Sequence, residues 1–405
     1  MILNSRFSIR CSYIVAALAL ASASFLSNAQ APNAAASAPT PEAIEMVGQM
    51  STIPVPILGA TAWLSLDVNS GQIIAAQGLN QQVEPASLTK LMSAYLVFDA
   101  LESGRLTLDQ PVLVSENAWR TEGSRMFIKP NTNVSVHELL LGVIVQSGND
   151  ATVALAEAVA GSENAFAALM NEEAAKQGLS GTHFVNASGL PDPAHLTTVR
   201  DLGILAQNLV TRFPQYLSYY SEKEYEYNNI KQPNRNRLLW LDSTVDGLKT
   251  GHTKSAGYCL VSTALRDGRR VISVVVGTAN DAARIENSLK LLNWSFQNFE
   301  TVELYGADQP VVTARVWEGE SDAVGLGTPA AFTVTVPRGR AADLKPVAEY
   351  TQPLIAPVES GAKVGNVSLT LDGTVLRQES LVALQSVPQA GFFGRVVDKV
   401  RMWFE

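Results

Sequence analysis

A serine and a lysine three residues apart are the first side chains in this sequence that suggest chemistry. Ser87 and Lys90 lie in the stretch 84–92, where Pro85 suits the entry to a helix and apolar residues then recur at helical spacing. Side chains three apart share one face of a helix, so the lysine amine can reach the serine hydroxyl. A serine becomes an effective nucleophile only with such a base beside it. Serine is also a preferred capping residue, and this stretch alone does not separate the two roles.

Two further polar clusters follow along the chain. Ser147-Gly148-Asn149 interrupts an apolar helical pattern, and Lys249-Thr250-Gly251 precedes two β-rich runs. The first cluster also fits an ordinary turn, because Ser, Gly and Asn are common turn residues. Gly251 has no side chain, which allows another backbone or a ligand to approach a strand closely. Each cluster is a weak signal alone, so their value depends on whether the fold brings them together.

Periodicity and turn residues predict the elements that would position these clusters. Residues 61–67 and 72–76 flank an Asn-Ser-Gly turn and predict a hairpin, and the helix of Ser87 is expected to end near Gly104. Asp267-Gly268 predicts a second hairpin, with Lys249 on the strand that leads into it. A polar loop over residues 115–125 is expected to border a cleft. Further helices are predicted over residues 134–146, 151–160, 165–177, 199–213 and 282–296, and a surface strand over residues 219–228.

The first residues have the composition of a secretory signal peptide. Two arginines precede an apolar run over residues 13–25, and small residues follow at a suitable cleavage site. Residues 1–31 are therefore predicted to be removed on export, and residues 32–53 to form a flexible linker. Cleavage would leave Cys259 as the only cysteine, which excludes an internal disulfide and makes this residue a small buried hydrophobe.

Composition excludes several classes of protein. The 405 residues are 46% hydrophobic, enough for a large core in one or two domains. The formal net charge of −8 argues against a nucleic-acid partner. The sequence has no glycine-rich phosphate loop, and its four histidines are scattered. We therefore predict no metal site and no cofactor.

The chain changes character after residue 300. Short β-prone runs separated by Gly, Pro and Asp predict a small all-β domain over residues 301–388. Residues 389–405 then predict an amphipathic helix with aromatic anchors and basic flanks, which favours insertion into a membrane surface over docking on the β domain. Its apolar residues are Phe392, Phe393, Val396, Val397, Val400, Trp403 and Phe404.

The three clusters in this order form the S-x-x-K, S-x-N and K-T-G set of penicillin-binding proteins and β-lactamases. The whole chain resembles the D-alanyl-D-alanine carboxypeptidases of the penicillin-binding protein 5 type. The resemblance extends to residues 146–151 and 246–253, to the Pro-Arg-Gly-Arg segment at 337–340 and to the amphipathic tail. It implies an α/β (α+β) transpeptidase-like catalytic domain over residues 54–300, with an antiparallel sheet between helices.

The same resemblance implies an activity and a location. Members of this family trim the terminal D-alanine from peptidoglycan pentapeptides, with no cofactor, and are acylated by β-lactam antibiotics. They act on the periplasmic side of the cytoplasmic membrane, to which the C-terminal helix would attach this chain. We accordingly expect an exported serine carboxypeptidase whose partners are the D-Ala-D-Ala terminus, β-lactams and a membrane surface.

The chemistry assigns roles to the clusters. Ser87 is the expected nucleophile, with Lys90 as its general base, and a lysine serves as a base only when burial and neighbouring positive charge lower its pKa. Lys249 is expected to supply that charge. Ser147 would relay a proton to the leaving amine, and Asn149 would orient Lys90 or the substrate amide.

The remaining residues would hold the substrate. One oxyanion donor is the expected Ser87 N–H group at the helix start, and the resemblance supplies the His252 N–H group as the other. The substrate's terminal carboxylate suits a positively charged edge of the site. The expected substrate-binding residues are Lys249, Thr250, Gly251, His252 and Arg284.

Three alternatives stay open on the sequence. A serine β-lactamase shares the motifs, but no Glu-x-x-Leu-Asn segment, which would hold a deacylating water in class A enzymes, lies between Asn149 and Lys249. A D,D-endopeptidase uses the same catalytic set but usually lacks the β domain and the tail. A non-catalytic wall-binding protein would have no need of all three clusters.

Overall fold

The computed structural model describes residues 46–50 and 53–404. The expected signal peptide and most of the expected linker lie outside these residues. Val47, in a short 3-10 turn over Val47–Met50, is fully buried in the same apolar cluster as Ile74 and Trp294. The folded domain therefore includes residues before Pro54, because burying this valine removes apolar area from water, and the linker prediction is wrong at this point.

The strands and helices alternate in the first part of the chain, and strands dominate the second. The strands are β1 (Ala62–Asp67), β2 (Ile73–Gln77), β3 (Pro111–Leu113), β4 (Asn133–Ser135), β5 (Glu224–Tyr227), β6 (Ile230–Pro233), β7 (Val245–Thr253), β8 (Gly257–Arg266), β9 (Arg269–Thr278), β10 (Phe299–Tyr305), β11 (Pro310–Trp317), β12 (Ala323–Gly327), β13 (Phe332–Pro337), β14 (Lys345–Tyr350), β15 (Leu354–Ile355), β16 (Lys363–Leu371) and β17 (Thr374–Ala383). The helices are α1 (Lys90–Glu102), α2 (Glu116–Arg120), α3 (Val136–Ile144), α4 (Asn149–Ala160), α5 (Glu163–Lys176), α6 (Val199–Arg212), α7 (Ser218–Ser221), α8 (Leu238–Leu241), α9 (Asp281–Asn298) and α10 (Phe392–Met402).

The first sheet has the strand order β2-β1-β9-β8-β7, and each neighbouring pair is antiparallel. Successive side chains of a strand point to opposite faces, and both faces of this sheet are buried. Leu64 and Leu66 join the cluster formed with α1 and α3–α6, whereas Trp63 joins the cluster formed with α9. The predicted antiparallel sheet between helices is confirmed, and its edge strand β7 carries the Lys-Thr-Gly cluster.

One predicted strand is partly helical. Residues 219–228 were expected to form a surface strand, but Tyr219 and Tyr220 lie in α7 and are buried, and β5 begins only at Glu224. The two tyrosine rings pack around Phe98 of α1. Burial of these two rings in the core favours a helix here. A surface strand would leave part of their large apolar area exposed to water.

The β-rich domain has its own core, as expected. Its larger sheet has the order β14-β16-β17-β12-β11-β15, and β10 pairs with β13 beside it. Hydrogen bonds join it to the first domain: Thr301 Oγ1 donates to Asp67 Oδ2 at 2.6 Å, and Arg377 Nη1 donates to the Ser70 carbonyl at 2.6 Å. The two domains therefore meet through buried or half-buried polar contacts.

Among the described residues, no single helix is long and apolar enough to cross a membrane. The helices α4 and α5 pass that test of length and composition only when taken together, and they are bent by 79° relative to each other.

Candidate active site

Ser87 lies in a 3-10 turn, Ala86–Thr89, that leads directly into α1. The strand β7 packs against this turn at Gly251. A Cβ atom there would lie 3.0 Å from the Pro85 carbonyl oxygen and 3.3 Å from the Ala86 Cβ atom, both closer than ordinary contacts. The missing side chain therefore lets β7 approach the turn, which places the Lys-Thr-Gly cluster beside Ser87.

The Lys90 side chain joins two of the three clusters. It is almost completely buried, and its Nζ atom donates to Ser87 Oγ at 3.1 Å and to Asn149 Oδ1 at 2.7 Å. A third hydrogen bond, of 2.7 Å, goes to the carbonyl oxygen of Ser188. The amine is thus held beside the serine hydroxyl at the distance that proton transfer needs.

Burial and, after it, the positive charge of Arg235 lower the pKa of Lys90 from its ordinary value to about 7, while Asp150 and Glu163 oppose the shift. An amine with this pKa is partly neutral at neutral pH. It can therefore accept a proton from Ser87.

Lys249, the expected source of the neighbouring positive charge, does interact electrostatically with Lys90. Arg235 is a further cation that lowers the pKa of Lys90. Burial lowers the pKa of Lys249 itself, and Lys90, Arg235 and Arg284 add to this effect. Lys249 is 3% exposed, and its Nζ atom donates to the Thr250 carbonyl oxygen at 3.2 Å. Both lysines are buried, so each is driven toward its neutral form.

The Ser-Gly-Asn cluster forms the corner between α3 and α4. Ser147 adopts a left-handed backbone (φ 60°), and its buried Oγ atom has no hydrogen-bond partner among the described residues. Asn149 Nδ2 donates to the Glu122 carbonyl oxygen at 2.6 Å, and its backbone N–H group donates to the Ser124 carbonyl oxygen at 2.7 Å. The loop of Glu122 and Ser124 is therefore bound to the corner and borders the cleft.

The clusters meet at a cleft of about 190 Å³. Its lining residues are Ser87, Ser124, Ser147, Arg235, Thr250, Gly251, His252, Tyr258 and Arg284. Two of them are arginines, and within the described part of the chain no carboxylate lines the cleft. The site is therefore suited to a substrate with a negative charge.

Arg284 and His252 line this cleft from different elements, the helix α9 and the strand β7. Arg284 is 5% exposed, forms an ion pair with Asp281 in the first turn of α9, and donates to the Gly251 carbonyl oxygen at 3.4 Å. The His252 ring lies 4.0 Å from the Tyr258 ring, centre to centre, while the residue itself is exposed. The arginine is thus both an ion-pair former and a lining residue.

Sequence reasoning missed Arg235 and the Ser188 carbonyl. Arg235 lies in the irregular segment between β6 and α8, on the rim of the cleft. Its neighbours Asn234 and Asn236 are buried and donate to the carbonyl oxygens of Glu222 and Gly247. The Asn-Arg-Asn pattern is the one available signal, since paired asparagines indicate a fixed loop.

A serine hydroxyl beside a buried lysine amine, in a domain whose antiparallel sheet lies between helices, defines a serine hydrolase with a penicillin-binding-protein and β-lactamase-like fold. The family model described as D-alanyl-D-alanine carboxypeptidase matches residues 49–280, and that described as penicillin-binding protein 5, C-terminal domain, matches residues 299–389. The chain belongs to the D-alanyl-D-alanine carboxypeptidase family.

Relatives match over most of their length. The chain is 43% identical to D-alanyl-D-alanine carboxypeptidase DacC of Escherichia coli over 361 residues, which is 87% of this chain and 90% of that protein. Penicillin-binding protein 5 from Haemophilus influenzae is 39% identical, with a TM-score of 0.81 over 83% of this chain and 100% of that one. Penicillin-binding protein D2 from Listeria monocytogenes, solved in an ampicillin-bound form, is 32% identical, with a TM-score of 0.56 over 60% of this chain and 100% of that one.

Proposed function

We propose that this protein removes the terminal D-alanine of peptidoglycan pentapeptides through an acyl-enzyme on Ser87. The observation that carries the proposal is the Lys90 amine, 3.1 Å from Ser87 Oγ, with a pKa lowered to about 7. The neutral amine takes the Ser87 proton as the oxygen attacks the carbonyl carbon of the penultimate D-alanine. The C–N bond then breaks, the terminal D-alanine leaves as an amine with a proton, and water hydrolyses the ester.

Two neighbouring polar side chains support the proton transfers. Asn149 Oδ1 accepts from the Lys90 amine and keeps it directed at Ser87. Ser147 lines the cleft and its Oγ atom has no partner in the described part of the chain, so it can pass the proton from Lys90 to the departing nitrogen. The backbone N–H groups of Ser87 and His252 would stabilise the oxyanion that forms during attack.

The positive edge of the cleft selects a substrate that ends in a carboxylate. Arg284 and Arg235 line it with Thr250, whose hydroxyl can donate to a carboxylate oxygen. Lys249 does not line the cleft. It lies on β7 behind this positive edge and contributes to the site by that position. A free carboxylate at this place is what distinguishes a carboxypeptidase substrate from an internal crosslink.

The same site accounts for acylation by β-lactams. Opening of a lactam ring gives an ester on Ser87 whose leaving amine stays attached to the acyl group. No carboxylate lines the cleft within the described residues, which leaves a class A type of deacylation without its base. This supports a penicillin-sensitive carboxypeptidase rather than a β-lactamase.

We also propose that α10 attaches the exported protein to the outer face of the cytoplasmic membrane. Phe392, Phe393 and the following Trp403 are 68%, 83% and 89% exposed. The opposite side of the helix holds the β domain: Asp398 accepts from the Glu318 N–H group at 2.9 Å, and Lys399 lies 3.8 Å from the Glu318 carboxylate. The apolar face thus stays available for a lipid surface.

The activity is tested by D-alanine release from a peptide ending in D-Ala-D-Ala. We expect release by the mature protein, and neither release nor covalent penicillin labelling by Ser87→Ala. Labelling that persists in this variant would place the nucleophile elsewhere. Rapid penicillin hydrolysis without D-alanine release would indicate a β-lactamase, and cleavage of crosslinked peptides alone would indicate an endopeptidase.

The membrane attachment is tested by removing residues 391–405. We expect the truncated protein to remain in the supernatant when mixed with vesicles of anionic phospholipid, with its soluble activity intact, whereas the full mature chain sediments. Sedimentation of both proteins would contradict the role of α10.

A further inference from the structure

A buried chain of hydrogen bonds leads from His195 to the residue before the nucleophile. The Val185 N–H group donates to His195 Nδ1 at 3.2 Å, so the ring proton lies on Nε2. His195 Nε2 is 2.8 Å from Thr89 Oγ1, and this hydroxyl donates to the Ala86 carbonyl oxygen at 2.8 Å. Each donor in this chain therefore has one acceptor, and the direction of all three hydrogen bonds is fixed.

The surroundings keep this chain in place. His195 and Thr89 are 2% and 1% exposed, and burial lowers the pKa of His195 to about 4, so the ring is neutral at working pH. Gly189 packs directly against the Ala86 carbonyl and Thr89, because a Cβ atom there would lie only 1.8 Å from the carbonyl oxygen and 2.8 Å from Thr89 Oγ1. Ala86 itself has φ 46°, a left-handed conformation that a non-glycine residue keeps only when its neighbours hold it.

The planarity of the peptide bond carries this constraint to Ser87. In a trans peptide the carbonyl oxygen and the following N–H group point in opposite directions. The Ala86 carbonyl points toward buried Thr89, so the Ser87 N–H group points away from the buried chain, on the side where Ser87 lines the cleft. A carbonyl that accepts a hydrogen bond also polarises its peptide, which makes the N–H group a stronger donor.

We propose that Thr89 and His195 are positioning residues that aim the Ser87 N–H group at the oxyanion. This inference rests on the proposed acyl-enzyme on Ser87. Neither side chain lines the cleft, and both act through the Ala86–Ser87 peptide. Their removal should slow bond making and breaking, because the oxyanion exists only during those steps, and should leave substrate binding nearly unchanged.

Matched variants separate this role from packing. Thr89→Val keeps the shape and removes the hydroxyl, whereas Thr89→Ser keeps the hydroxyl. His195→Gln keeps a donor near the Nε2 position, whereas His195→Asn keeps an acceptor near the Nδ1 position and loses the donor to Thr89. For the mature protein, the measurements are kcat and KM for D-alanine release, the acylation rate with a fluorescent penicillin, and the melting temperature.

We expect Thr89→Val and His195→Asn to lower kcat and the acylation rate at least about tenfold with KM within about threefold, and Thr89→Ser and His195→Gln to retain most activity. The double variant Thr89→Val/His195→Asn should be no slower than Thr89→Val alone. Equal rates for Thr89→Val and Thr89→Ser, or losses that follow melting temperature within both pairs, would overturn the inference.

The two pairs are independent comparisons. If Thr89→Val does not fold, the His195 pair decides, because both of its variants place an amide in the same cavity. A parent protein that neither releases D-alanine nor binds penicillin would contradict the proposed function itself, a result distinct from unequal variants of an active enzyme.

Discussion

The three acceptors around the Lys90 amine are a hydroxyl, an amide and a backbone carbonyl, all of them neutral. A carboxylate in contact with Nζ would have held the proton and raised the pKa. Burial instead dominates, and the pKa falls to about 7. The pKa of the proposed base is therefore determined by the groups that surround the Lys90 Nζ atom.

This environment predicts a pH profile. Below pH 7 Lys90 is protonated and cannot take the Ser87 proton, so acylation should fall about tenfold for each unit and should level off above pH 7. The rate constant for labelling by a fluorescent penicillin, measured from pH 5 to 9, checks this, with circular dichroism showing that the protein stays folded. A flat profile would contradict the assignment of Lys90 as base.

Arg235 should set the position of that profile. Removing its positive charge with Arg235→Gln raises the pKa of Lys90, so the acid limb is expected to move to higher pH, and KM should rise if the arginine binds the substrate carboxylate. Arg237→Gln, two residues along the same segment and exposed, is the matched control and should leave the acid limb in place. An unchanged limb in Arg235→Gln would assign the lowered pKa to burial alone.

Residue spacing predicted part of this site and could not predict the rest. Ser87 and Lys90 are neighbours through helix geometry, which a sequence displays directly. Arg235 reaches the cleft from an irregular segment without periodicity, and the fold alone brings it near Lys90. The burial of Lys249 could not be predicted for a related reason: a sequence shows that two lysines exist, but not that the fold buries both.

At the scale of elements, the contact between β7 and the Ser87 turn is the one on which the site depends. The β7, β8 and β9 strands were predicted from their β-prone runs and the Asp267-Gly268 turn, and Gly251 was recognised as a point of close approach. The strand register was beyond the sequence, because it depends on which backbone packs against the glycine.

Gly251→Ala should therefore damage the site more than the fold. The new Cβ atom would lie 3.0 Å from the Pro85 carbonyl oxygen and 3.2 Å from Leu88 Cγ, which forces the turn to move. We expect at least about a tenfold loss of penicillin labelling rate, since small misplacements of catalytic groups are costly. Gly59→Ala is the control, because its Cβ atom meets only Asn287 Nδ2, at 3.9 Å. Equal rates for the two variants would show that β7 tolerates the shift.

At the scale of the molecule, a buried ionic network holds the two domains. Asp67 is fully buried and accepts from Arg269 Nε and Thr301 Oγ1, both at 2.6 Å. Arg269 also donates to the carbonyl oxygens of Ser295 and Phe299, at 3.1 and 2.7 Å. One arginine thus connects β1, α9 and the first strand of the β domain.

Arg269→Ala should lower the free energy of unfolding by about 3–5 kcal/mol, because it leaves Asp67 charged and buried without its partner. Denaturant unfolding of the mature protein measures this. Arg340→Ala removes an exposed ion pair with Asp343 and Asp372 and should leave the free energy of unfolding nearly unchanged. A similar small loss for both variants would show that the domains do not depend on this network.

The hydrogen bond between Asp398 and the Glu318 N–H group holds α10 against the β domain, and this has a consequence for the position of the cleft. If the apolar side of α10 lies in lipid, the β domain stands on that helix, and the contacts of Asp67 and Arg377 fix the catalytic domain on the β domain. The cleft is then carried at a constant height above the bilayer. An active site held at that height would reach only peptides that lie in a layer at the same distance from the bilayer.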